Sequence, residues 1–173
     1  MMEKARPLAI FAAVALLAVG GCSGDEKSYS VPEVLCGVPV RRDMLKDLLP
    51  DGARLKIEES HTYDVPEYRF CDVVIDGKVE LSSEGVWRKA GFTAEDTAKA
   101  ALVFNTEPRQ GGKFQVWKSG ATTAFECRNA RQKAGAFSLE VRVVRPEGNM
   151  ADKVERYLAS YAEEYRKILP CES

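Results

Sequence analysis

The sequence predicts an α+β domain: an antiparallel sheet of about six strands, covered on one face by helices and closed by a long C-terminal helix. Three observations carry this. Short runs with period-two alternation recur between residues 54 and 143, one pair of them joined by Asp76-Gly77, whose residue types suit the positive φ of a tight hairpin turn. A single run with three-and-four apolar spacing occupies residues 150–169. Four cysteines fall at the edges of helical segments or within strand candidates.

Taken in order, Lys4 and Arg6 precede twelve uncharged residues from Leu8 to Val19, then Gly20, Gly21 and Cys22. A membrane-spanning helix needs roughly twenty apolar residues, so this run fits a secretory signal instead. The order Val19-Gly20-Gly21-Cys22 resembles a bacterial lipobox, which implies cleavage before Cys22 and lipidation of its thiol. Ordinary secretion, with Cys22 left as a thiol, is the alternative. There are five cysteines, an odd number for an exported chain. Lipidation of Cys22 leaves an even set, Cys36, Cys71, Cys127 and Cys171, for disulfides. The expected organisation is a signal peptide over 1–21, a flexible tether over 22–32 and one disulfide-stapled domain over 33–173.

Within that domain, Met44, Leu45, Leu48 and Leu49 share a helical face, with Pro50-Asp51-Gly52 as its stop. Three strands follow: Leu55 and Ile57 alternate with Lys56 and Glu58; Cys71, Val73 and Ile75 share one parity; Val79 and Leu81 stand against Glu80 and Ser82. The layout then starts again. Thr93 with Asp96 forms a variant capping box for a short helix through Ala94, Ala98, Ala101 and Leu102. Three further strands place Phe114 and Val116, Phe125 and Cys127, and Phe137, Leu139, Val141 and Val143 inward. Helix plus three strands, twice, with a cysteine in each middle strand, hints at a duplication. In the final helix Val154, Tyr157, Leu158, Tyr161, Ala162, Tyr165, Ile168 and Leu169 form one apolar face. Asn149 is its expected cap, Asp152 with Arg156 and Glu163 with Lys167 its expected outer pairs, and Pro170 its stop. Cys71 and Cys127 sit on the inward parity, so the expected bridges are Cys36 with Cys71 and Cys127 with Cys171, with Cys36 to Cys171 as the other option.

The VGGC lipobox, the polar tether, Cys36-Gly37, the Asp76-Gly77 hairpin after the Cys71 strand and the ending Pro170-Cys171 together resemble the small cell-surface lipoproteins of actinobacteria. That resemblance implies a lipid-anchored extracytoplasmic protein and supplies no active-site motif.

Composition narrows the function classes. With 25 basic and 26 acidic side chains the chain is near neutral, and no basic footprint for nucleic acid appears. Metal-ligand spacing is lacking, with one histidine and no CxxC, so no metal or cofactor is expected. His61, with Ser60 and Asp64 beside it, is the sole histidine available to a triad, and no GxSxG elbow accompanies it. The acids Glu58, Glu59, Asp64, Glu67, Asp72 and Asp76 could supply a carboxylate pair or a calcium site, though a solvated sheet face accounts for them. Tyr157, Tyr161 and Tyr165 could line a groove or fill the core. Trp117 falls on the outward parity, near Lys113, Lys118 and a basic loop with Arg128, Arg131 and Lys133, and marks a possible binding surface. The expectation is therefore a non-catalytic envelope binding module on the outer face of the cell membrane. Its partners would be the membrane, through lipid on Cys22, and an envelope protein or small ligand. The alternative is an extracytoplasmic hydrolase using His61 or the acidic cluster.

Overall fold

The computed structural model describes residues 27–62 and 66–172. Residues 1–26, with the signal segment and Cys22, lie outside the described residues, as does Asp64.

A small hairpin opens the fold, β1 (Val34–Leu35) and β2 (Val38–Pro39), turning through Cys36 and Gly37, both at positive φ. Helix α1 (Arg42–Lys46) follows, then strands β3 (Leu55–His61), β4 (Tyr68–Ile75) and β5 (Lys78–Arg88). Helix α2 (Ala94–Ala100) leads to β6 (Glu107–Arg109), β7 (Phe114–Trp117), β8 (Gly120–Asn129) and β9 (Ala134–Val143), and α3 (Ala151–Ile168) ends the chain. The main sheet is antiparallel, seven-stranded, in the order β3-β4-β5-β9-β8-β7-β6. The predicted strands are all present. The surplus pieces, the β1–β2 hairpin and edge strand β6, are two or three residues long and hold Pro39 and Pro108, so no alternation announces them.

Each meander runs from the rim of the sheet to its centre, and the two join where β5 pairs with β9, Gly85 opposite Leu139 and Trp87 opposite Phe137. Asp76 and Gly77 both take positive φ, as the hairpin requires. The inner face carries Val73, Ile75, Leu81, Trp87, Phe114, Val116, Phe125, Phe137, Leu139, Val141 and Val143, all buried beneath α3, α1 and the β1–β2 hairpin. Gly85 belongs to this face because a Cβ there would sit 2.7 Å from Cζ of Phe137. Helix α2 packs on the opposite face: the Thr122 hydroxyl, on the outward parity, donates to the Ala94 carbonyl at 2.8 Å. The covering of the inner face is therefore the work of α1 and α3, and α2 shelters part of the outer one.

Both disulfides are present, Cys36 with Cys71 and Cys127 with Cys171. Bridges of this kind persist in oxidising compartments. No helix among the described residues is long and apolar enough to cross a membrane.

Three local expectations are adjusted. The tether was drawn through residue 32, but Val31 is buried in the core, Ser28 N–H donates to the Gly52 carbonyl and the Tyr29 hydroxyl donates to the Pro50 carbonyl. Burial, with Asp51 nearby, pushes the Tyr29 phenol up to about 12. On α3, Asp152 pairs with Arg109 of β6 at 3.2 Å and Lys167 with Glu164 at 2.7 Å, in place of the expected pairs, because Arg109 arrives from the sheet edge and i, i+3 reach suffices for Lys167. The N-cap position of α3 is Met150, which supplies no side-chain cap; Asn149, one residue earlier, accepts from the Ala151 N–H at 3.0 Å.

Candidate functional site

The sheet has two ends, and a cavity opens at each. One end carries the β4–β5 and β7–β8 turns, the start of α3 and residues 27–28. Its cavity, about 850 Å³, is lined by Lys27, Asp47, Asp51, Asp76, Arg145 and Lys153 among others. Those groups are largely committed to the fold. Asp76 accepts from the Ala53 and Arg54 N–H groups at 2.9 and 3.0 Å, and these bonds hold its carboxyl below the usual range. Arg145 pairs with Glu80, Lys153 reaches the Asp47 carbonyl and Lys27 the Lys46 carbonyl.

The cavity at the other end, about 410 Å³, lies beside the β3–β4 connection, the β8–β9 turn and the chain after α3. It is lined by His61, Thr62, Glu67, Arg69, Trp87, Asn129, Arg131, Gln132 and Pro170. His61 ends β3 on the inward parity, opposite Arg69. Arg69 donates through Nε to Glu67 at 3.1 Å, and Gln132 Nε2 donates to the same carboxylate at 3.2 Å. Gln132 in turn accepts from the Glu67 N–H at 3.1 Å, which locks the two loops together. Asn129 accepts from the Gln132 N–H and donates to the Pro170 carbonyl, each at 3.0 Å. The Cys127–Cys171 bridge and the Arg128–Glu172 β-bridge fix that side.

Trp87 forms the wall toward the core. It is 1% exposed, its ring meets Phe137 edge-on at 5.0 Å, and its indole N–H has no hydrogen-bond partner among the described residues. Buried donors are nearly always paired, since leaving one bare costs its desolvation. The Trp87 N–H has almost no accessible surface, so it lies behind the cavity wall and does not face its opening. Arg131 forms no ion pair with any described residue. The lining thus offers one guanidinium without a carboxylate, a second guanidinium shared with Glu67, and His61.

The structure separates the residues singled out as a binding surface. Arg131 and His61 meet in this cavity. Trp117 does not join them: it lies on the outer face at the other end of β7, over Gly120 and 5.9 Å from the Arg142 guanidinium. Its outward parity was legible, but the expected closeness to the basic loop does not hold, because that loop follows the far end of β8. Arg128 is exposed, with its carbonyl accepting from the Glu172 N–H.

The acidic cluster is likewise dispersed. Glu58 and Asp72 face each other on the outer face, Glu59 has the opposite parity, Glu67 is in the cavity and Asp76 is in a turn. Among the described residues no group of three or more His, Cys, Asp or Glu is placed to hold a metal. Ser60 has the outward parity and so points away from the face that carries His61. Tyr157, Tyr161 and Tyr165 are core residues, the first pair stacked at 5.4 Å and the second edge-on at 5.0 Å. Sequence reasoning missed Trp87, which lies beyond the Val79–Leu81 alternation that marked its strand. It also missed the pair Glu84 and Glu140, which stand directly opposite on the central strands of the outer face. Burial raises both carboxyls, against the pull of Arg88 and Arg142 on Glu84 and of Arg142 on Glu140.

Comparison with known protein families, curated proteins and solved structures returns no match.

Proposed function

We propose that the protein is a lipid-anchored extracytoplasmic binding module, held to the membrane through Cys22, that takes a small anionic ligand in the cavity between His61, Trp87 and Arg131. The observation that carries the binding half is the Arg131 guanidinium, which has no ion pair among the described residues and shares the cavity with Arg69 and His61. A carboxylate or similar oxyanion matches it: Arg131 supplies the charge and the donors, and Arg69 stands beside it. A pocket of this size, mostly preformed with a few convergent polar groups, suits a small molecule or a chain end.

The binding half is tested by titrating carboxylate and phosphate compounds into the wild type and the variants Arg131→Ala and Arg69→Ala, following heat released. Binding weakened at least tenfold in both variants supports the reading; ligands that bind equally well to all three proteins exclude this cavity. The anchor is tested on protein extracted from membranes, by intact mass with and without reduction and alkylation. Loss of residues 1–21, added acyl mass and four thiols that react only after reduction are expected. An unacylated chain with a reactive Cys22 overturns it. Hydrolysis at His61 is the second reading, since Thr62 and Glu67 share its cavity. It requires a turnover that His61→Ala abolishes.

A further inference from the structure

The end of the sheet away from that cavity carries an unusual display of apolar side chains. Leu102 is 77% exposed and Phe104 74%, and Val144 is 44% exposed. Leu102 sits at φ 58 just past α2. Its N–H donates to the Lys99 carbonyl at 3.0 Å and that of Val103 to the Ala98 carbonyl at 2.9 Å, the paired bonds of a Schellman ending. That position belongs to glycine, which takes positive φ without a Cβ penalty. A leucine there accepts backbone strain in order to hold an apolar side chain in solvent, and outliers of this sort gather at functional surfaces.

The placement of the loop indicates what it meets. It enters β6 at Glu107, level with Val116 and close to the turn at Lys118-Ser119. Val144 follows Val143, whose N–H donates to Ser119 at that turn. Lys27 and Ser28 reach the same end from the other side, at Lys46 and Gly52. Only residues 23–26 separate Lys27 from Cys22, so an acylated Cys22 lies within about 18 Å of Lys27 even with the chain fully extended. Gly52, which the Ser28 N–H bonds, abuts the end of β4, and five strand spacings, roughly 24 Å, part it from β6, which the loop enters.

We infer that Leu102 and Phe104, with Val144 at the same end of the sheet, are a second foothold on the lipid surface, and that together with the acyl chains on Cys22 they hold this end of the sheet against the bilayer. This rests on the anchored reading of Cys22 given above. A foothold on the folded domain itself, added to the acyl anchor, restricts the tilt of the domain and aims the His61–Arg131 cavity away from the membrane by roughly the length of a strand.

The test places a reporter at the loop. Full-length lipoprotein carrying Phe104→Trp is reconstituted in vesicles of phosphatidylcholine with a quarter phosphatidylglycerol, with and without brominated acyl chains; wild type and Lys167→Trp, at the opposite end, are treated alike. Intact mass is recorded on each preparation. The emission added by Trp at 104 is expected to shift to the blue and to fall at least twofold in brominated vesicles, while that added at 167 is unchanged. Leu102→Gly in the Phe104→Trp background should relieve most of the quenching. Acylated protein whose added tryptophan at 104 stays unquenched overturns the foothold and leaves the anchor standing. Protein without acyl mass overturns both.

Discussion

Trp87 and Leu102 show how two side chains can be costly to the fold for different reasons. A buried donor without a partner costs about 1–3 kcal/mol, and shrinking an aromatic ring in a packed core costs a similar amount in lost contact. For Trp87→Phe these terms oppose each other, so urea denaturation should show a change within about 1 kcal/mol. A loss of several kcal/mol would mean that the N–H is already satisfied in the folded protein. Leu102 carries a cost of about 1 kcal/mol for its left-handed backbone. Leu102→Gly should therefore raise stability by up to about 1 kcal/mol, read from the same denaturation curve, while weakening the lipid contact. A substitution that stabilises and yet impairs is the signature of a residue kept for a surface rather than for the fold. Neither residue was legible beforehand. Trp87 drew no reading of its own, because the Val79–Leu81 alternation that marked its strand stops short of it and the absence of a partner depends on packing that pattern does not show. Leu102 read as the last apolar residue of α2, because its sequence contains no glycine to announce where the helix stops.

Elements were more legible where they are long and periodic. Strand β9 alternates without a break and α3 carries an apolar stripe along its whole length, so both appear where expected, as does the Thr93–Asp96 capping box at the start of α2. What pattern could not reveal is the outer face of the central strands. There Glu84 and Glu140 are directly opposed on β5 and β9. Like charges in that relation destabilise a pair of strands, and burial adds to the effect. Burial comes first among the causes that raise both carboxyls. A carboxyl with a raised native value binds its proton more tightly folded than unfolded. Stability is thus greatest below the ordinary glutamate range and is lost as pH rises through the raised native values. Asp76 and Asp96 act in the opposite sense: hydrogen bonds lower their values, so their contribution is present above the aspartate range and lost on acidification. Glu84→Gln isolates the first effect. It should raise the melting temperature at about pH 7.5 and change it little at about pH 3.5, below the ordinary glutamate range, since the cost of the buried charge grows as pH rises through the raised native value. Equal shifts at both values would show that packing rather than ionisation is responsible.

At the scale of the whole molecule, the two three-strand meanders sit in mirrored order about the β5–β9 pair, so that β4 and β8 are counterparts and each carries one bridged cysteine. The helices break that relation, because α1 packs with α3 on the inner face and α2 lies on the outer one. The bridges break it too: one ties β4 back to the opening hairpin and the other ties β8 forward to the end of α3. Each half of the fold is therefore fastened by its own staple. Only the Cys127–Cys171 staple borders the His61–Arg131 cavity, where it holds Pro170 against Asn129. Removing either bridge should cost about 2–4 kcal/mol, measured by denaturation of the paired serine variants. The consequences should differ in place. Cys127→Ser with Cys171→Ser should accelerate amide exchange at the end of α3 and in the β8–β9 turn and weaken anionic ligand binding. Cys36→Ser with Cys71→Ser should loosen the β1–β2 hairpin and leave the ligand untouched. Equal losses of binding in the two variants would show that the cavity depends on the stability of the whole domain, and not on the local staple that shapes its wall.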